Sequence, residues 1–224
     1  MKFAKSTQSV RDAMLLYAVT DRMWLNGRRL CDVVEEAVKG GATMVQLREK
    51  ELSFTEFLSE AAEIKKVCEK YRVPFIINDN IEVALACDAD GVHVGQSDME
   101  AARVREKIGA GKILGVSAQT VQQALEAEKM GADYLGVGAV FTTSTKSDAD
   151  YVPYEELKAI CHAVKIPVCA IGGIYRHNMM QLAGSGIDGV ALVSAVFAAE
   201  HIETECRKLL AMSKKMTALK TDRL

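Results

Sequence analysis

A (β/α)8 barrel, the TIM barrel, is the fold this sequence predicts, and three observations predict it. Short apolar, β-branched runs alternate with segments of helical periodicity along almost the whole chain. A glycine-bearing turn recurs before every second run, at intervals of about 45–55 residues. The chain has 224 residues, close to the roughly 250 of one such barrel and enough to fill its core.

The strand runs are 15–20, 43–47, 74–78, 90–94, 112–116, 133–137, 167–171 and 189–193. Between them, Leu30, Val33, Val34, Ala37 and Val38 share one helix face. So do Phe54, Phe57, Leu58, Ala61, Ile64 and Cys68, and later Ile202, Cys206, Leu209 and Leu210. Residues 80–87 leave room for only a short helix. The recurring turns are Gly40-Gly41-Ala42-Thr43, Asp88-Ala89-Asp90-Gly91, Met130-Gly131-Ala132-Asp133 and Ser185-Gly186-Ile187-Asp188. Their glycines suit helix C-termini, where a left-handed residue ends the last turn. Pro74 and Pro167 open strands, where a missing N–H is tolerated, and Pro153 suits a helix start. A doubly wound open sheet is the alternative architecture, but no Gly-x-Gly-x-x-Gly follows the first strand.

One barrel domain is expected over 1–224, with the barrel at about 14–211, an extension at 1–13 and a solvated, frayed tail at 212–224. At 49 % hydrophobic, 26 % charged and net charge −2, the composition is that of a soluble globular protein. It offers no bulk reason to expect nucleic acid. No apolar stretch reaches the roughly 18–20 residues of a membrane span, and 13–19 is too short for a signal peptide. A cytoplasmic protein acting on small molecules is expected, with no membrane partner and homo-oligomerisation left open. Cys31, Cys68, Cys87, Cys161, Cys169 and Cys206 form no Cys-x-x-Cys pair and read as packed thiols.

Function is written at the strand ends. In a parallel barrel these ends meet on one face, so distant residues converge there. Gln46, Arg48 and Lys50 leave the second strand and would share a side if extended geometry persists. Asn78 and Asp79 close the third, and Asp98 follows the fourth. Two carboxylates on neighbouring strands, roughly 4.8 Å apart, can share one Mg²⁺ and leave it open to substrate phosphate. Either aspartate could instead cap a helix. Arg48 and Lys50 beside that pair suit a diphosphate. Ser117 follows the fifth strand, and Thr143, Ser144, Thr145 and Lys146 lie in a long, lid-like loop after the sixth. Gly172-Gly173 and Val193-Ser194 follow the last two strands, where barrels of this kind hold monophosphates on backbone N–H groups. His93 reads as a packed imidazole; His162, His177 and His201 fall on expected helices away from the rim. Trp24 walls the site or anchors its loop. No Ser–His–Asp order or nucleophile elbow is visible.

These motifs, in this order, resemble the thiamine-phosphate synthase family over about residues 16–198. The resemblance rests on Gln46-Leu47-Arg48-Glu49-Lys50, Asn78-Asp79, the run from Gly91 to Gln96 leading to Asp98, and Thr143-Ser144-Thr145-Lys146. It implies that Gln46, Arg48, Lys50, Asn78, Ser117 and Lys146 hold a pyrimidine diphosphate, with Arg48, Lys50, Ser117 and Lys146 catalytic. It assigns Asp79 and Asp98 to Mg²⁺, and Thr143, Ser144, Thr145, Gly173, Val193 and Ser194 to a thiazole phosphate. Thiamine phosphate and diphosphate would be the products of a dissociative substitution. Thr142 stands where the family often has proline, and Ser97 where it often has an acidic residue. A thiazole tautomerase-like paralogue, or a barrel that binds phosphate ligands without turnover, are the alternatives. Retention of the cations and carboxylates argues against the former.

Overall fold

The computed structural model describes residues 3–95, 101–142 and 151–219. Eight parallel strands close in chain order: β1 (Leu16–Val19), β2 (Met44–Leu47), β3 (Phe75–Asn78), β4 (Gly91–Val94), β5 (Ile113–Ala118), β6 (Tyr134–Val137), β7 (Val168–Ile171) and β8 (Gly189–Leu192). Closure comes from β8 pairing β1, with Leu16 opposite Val190 and Ala18 opposite Leu192. Around them lie α1 (Thr7–Ala13), α2 (Leu30–Lys39), α3 (Phe54–Tyr71), α4 (Ile81–Ala86), α5 (Ala101–Ile108), α6 (Val121–Lys129), α7 (Tyr154–Ala163), α8 (Ser194–Phe197) and α9 (Ile202–Ala218). After β7 the connection is a 3-10 turn, Met179–Leu182, rather than an α-helix.

Strand alternation divides the apolar residues between two cores. Leu16, Ala18, Val45 and Leu47 face the helices, in one cluster with Val34, Ala61 and Ile64. Tyr17, Val19, Met44, Ile76, Ile113 and Tyr134 fill the interior. The N-terminal extension is part of that interior: α1 contributes Val10 and Ala13, and Met14 follows them. Helix starts follow their caps. Ser53 and Glu56 form a reciprocal capping box at α3, and Asn80 caps α4 by accepting from Val83 N–H at 2.9 Å.

The sequence repeat has a physical cause beyond its glycines. Thr43, Asp90, Asp133 and Asp188 each stand just before an even-numbered strand. Their side chains accept N–H groups at the starts of the preceding odd strands: Leu16 at 2.8 Å, Phe75 at 2.8 Å, Leu114 at 2.8 Å and Val168 at 3.0 Å. Their own N–H groups return to the carbonyls of the same residues at 2.7–2.9 Å. These N–H groups would otherwise be orphaned where the sheet begins. In three quarters a glycine takes the left-handed conformation, but in the second it is Asp88, at φ 53°, and Gly91 lies in the strand.

The C-terminal boundary differs from expectation. Instead of fraying from 212, α9 continues to Ala218 because Ser213 and Met216 are buried on the barrel. His177 lies in the turn after β7 rather than on a helix. No helix among the described residues is long and apolar enough to cross a membrane.

Candidate active site

Gln46 turns into the barrel and is buried; its Nε2 donates to Tyr17 Oη at 2.5 Å. Strand pairing ends at Leu47, just before Arg48 and Lys50. Arg48 is anchored by its main chain, whose N–H donates to Thr20 Oγ1 at 3.0 Å, and Lys50 is exposed. Glu49 between them has a different task. It accepts from Arg22 Nε at 2.7 Å, and Arg22 also bonds Glu60 of α3. Burial is the main force pushing the Glu49 carboxyl up to about 7. Its Oε1 is buried without a hydrogen-bond partner, and one guanidinium serves two carboxylates.

At the end of β3, Asn78 Nδ2 donates to the Asp79 carboxylate, and Asp79 N–H donates to His93 carbonyl at 2.8 Å. Asp79 has φ 61°, which turns the chain out of the strand. It is not the cap of α4, because Asn80 performs that role. An exposed carboxylate stands at the rim beside β4, since Asn78 pairs with His93. A hard oxygen donor there fits Mg²⁺, which prefers few protein ligands plus phosphate and water. No group of three or more His, Cys, Asp or Glu side chains suited to a metal occurs among the described residues. Asp98 lies outside them, as do Thr143, Ser144, Thr145 and Lys146.

Ser117, near the end of β5, is half-buried, with Oγ 3.0 Å from His93 Nε2. Across the barrel, the loops after β6 and β7 are tied together. Val140 N–H donates to Ile171 carbonyl at 3.0 Å and Phe141 N–H to Gly172 carbonyl at 3.1 Å. Gly172 and Gly173 both have positive φ, and a Cβ on Gly173 would sit 2.5 Å from Thr142 carbonyl oxygen. Glycine is required there by loop packing as well as by any approaching anion. Val193 precedes the single turn of α8, and Ser194 Oγ lies 2.7 Å from Tyr175 Oη. His177 stacks on Tyr175 with centroids 5.7 Å apart, which puts this histidine at the rim.

Gln46, Asn78, Asp79 and Ser117 therefore come from β2, β3 and β5, while Gly173, Val193 and Ser194 follow β7 and β8, with β3 and β7 half a barrel apart. The reading of the sequence missed Tyr17, Tyr134, Tyr175 and the Arg22–Glu49 pair. The glycines at 115 and 136 are the available signal for Tyr134, because they empty space beside it and His93.

The family model for thiamine monophosphate synthase matches residues 16–196. The chain belongs to the thiamine monophosphate synthase family. It is 51 % identical over 200 residues to the thiamine-phosphate synthase of Clostridium acetobutylicum, covering 89 % of this chain and 95 % of that one. It is 53 % identical over 195 residues to that of Ruminiclostridium cellulolyticum, covering 87 % and 93 %. The solved thiamine phosphate pyrophosphorylase from Pyrococcus furiosus superposes with a TM-score of 0.83 at 39 % identity, over 91 % of this chain and 98 % of that one. Like other members of the thiamine-phosphate synthase family, the chain is a transferase.

Proposed function

We propose that this enzyme joins 4-amino-2-methyl-5-(diphosphooxymethyl)pyrimidine to a thiazole phosphate, giving thiamine phosphate and diphosphate in the cytoplasm. The bond from the pyrimidine methylene carbon to the diphosphate oxygen breaks, and its electron pair leaves with diphosphate. The thiazole nitrogen then supplies the pair for the new C–N bond. No protein nucleophile is needed.

Gln46, Arg48, Lys50, Asn78, Ser117 and Lys146 hold the pyrimidine diphosphate in this reading. Thr143, Ser144, Thr145, Gly173, Val193 and Ser194 hold the thiazole phosphate. Asp79 and Asp98 would hold Mg²⁺, whose charge would offset that of the departing diphosphate. Arg48, Lys50 and Lys146 act mostly as that charge develops, and therefore in the transition state. Holding both substrates over one rim makes the second step effectively intramolecular. The observation that carries the reading is that β3, with Asn78 and Asp79, stands four strands from β7, with Gly172 and Gly173, on one rim.

The test is direct. Purified protein with both substrates and Mg²⁺ should form thiamine phosphate, and Asp79→Asn should lower turnover by about 10²-fold or more. No product under saturating substrate would end the proposal, and an unchanged rate in the variant would remove Asp79 from the site.

A further inference from the structure

We infer that Arg22 is a positioning residue for the diphosphate site: by drawing in the Glu49 carboxylate, it leaves Arg48 and Lys50, on either side of Glu49 in the chain, uncompensated for the incoming anion. The inference rests on the proposed binding of diphosphate by Arg48 and Lys50 and adds to that site a residue from the loop after β1.

Arg22 opens the short 3-10 turn Arg22–Trp24, whose start is fixed by Asp21 Oδ1 accepting from Met23 N–H at 2.9 Å. This loop is clasped to the end of β2 by main-chain groups. Thr20 N–H donates to Gln46 carbonyl at 2.9 Å, and Arg48 N–H returns to Thr20 Oγ1 at 3.0 Å. The clasp sets Arg22 beside Glu49, where its Nε donates to Oε2 at 2.7 Å. A terminal nitrogen of the same guanidinium donates to Glu60 of α3. One side chain therefore ties the β2 loop to the helix that follows it.

Charge decides what this tie does. A carboxylate between two cations, if free, pairs with either of them, and a diphosphate would have to displace it. The Glu49 side chain is instead 4 % exposed, with Arg22 as its salt-bridge partner. Among the described residues, neither Arg48 nor Lys50 has an ion-pair partner. Glu49 Oε1 is buried without a hydrogen-bond partner, so the cation of Arg22 is what holds this charge inside. Without that cation, a buried and unpaired carboxylate remains, and turning out to Arg48 or Lys50 relieves its cost. The Arg22 side chain is itself 43 % exposed, so replacing it leaves the core intact.

Calorimetric titration of the full-length protein with inorganic diphosphate and Mg²⁺ tests this without turnover, at pH 8, above the value of about 7 to which burial pushes Glu49. Arg22→Gln should weaken diphosphate binding about 10-fold, the size of one competing charge-assisted hydrogen bond. Adding Glu49→Gln should bring it back to within about 2-fold of the wild type, because the competing charge is gone. Equal affinity in Arg22→Gln and wild type would overturn the inference, since Glu49 then takes a proton where it stands. Weak binding that persists in the double variant would also overturn it, by showing that Arg22 touches the diphosphate itself. In turnover, Arg22→Gln should raise KM for the pyrimidine diphosphate and leave KM for the thiazole phosphate unchanged. A parallel rise in both would replace the positioning role with a general loosening of the rim. A wild type that binds no diphosphate would sink the site and the inference together. Normal diphosphate binding without formation of thiamine phosphate would refute the proposed reaction alone.

Discussion

Glu49 carries a pH dependence that its neighbours in the sequence do not suggest. Its ordinary value of 4.5 is raised to about 7, with burial as the first cause. Between those values the folded protein holds a proton that the unfolded chain has released. The contribution of this residue to stability is therefore complete below about 4.5 and is lost as pH rises through about 7. Glu49→Gln should abolish that component. In denaturant titrations, the wild-type midpoint should fall relative to the variant between pH 5 and 7, and the gap should stay constant above pH 8. Parallel midpoints across that range would mean that Glu49 ionises normally. The sequence could not announce this behaviour. It shows Glu49 between two cations, Arg48 and Lys50, whereas the structure pairs it with Arg22 from the preceding loop.

Strands and their turns were the most legible elements. Nearly continuous apolar runs left little freedom, and each expected strand overlaps the observed one, because a segment buried on both faces admits few polar residues. The purpose of the quarter repeat was less legible. A turn aspartate announces local bonding, but Asp188 accepts from Val168, at the start of the previous strand. Removing that acceptor should be costly. Asp188→Ala leaves the Val168 N–H buried without its partner and should lower stability by about 1–3 kcal/mol in urea unfolding. Asp188→Asn keeps an acceptor oxygen and should lose distinctly less. Equal losses would show that the Arg11 ion pair at 3.1 Å, rather than the bond to Val168, is what matters. At the rim, the sequence offers Asp79 as a cap for α4, but Asn80, one residue later, takes that role.

Over the whole molecule, closure explains both what could and what could not be read. Convergence of strand ends follows from parallel topology alone, so the rim could be anticipated without knowing any contact. The interior could not: Tyr17 and Tyr134 are 117 residues apart and meet only because β1 and β6 look into the same barrel. The same interior receives α1 from the end opposite the rim. Met14 is 0 % exposed and packs in the cluster that contains both tyrosines. Its truncation should therefore weaken the barrel without touching the chemistry. Met14→Ala is expected to cost about 2–5 kcal/mol, the range for a buried large-to-small change. Thermal unfolding should shift to lower temperature, while KM for both substrates stays at the wild-type value well below the transition. A stable variant with altered KM would mean that α1 communicates with the rim rather than sealing the base, through the interior cluster that Met14 shares with Tyr17 and Tyr134.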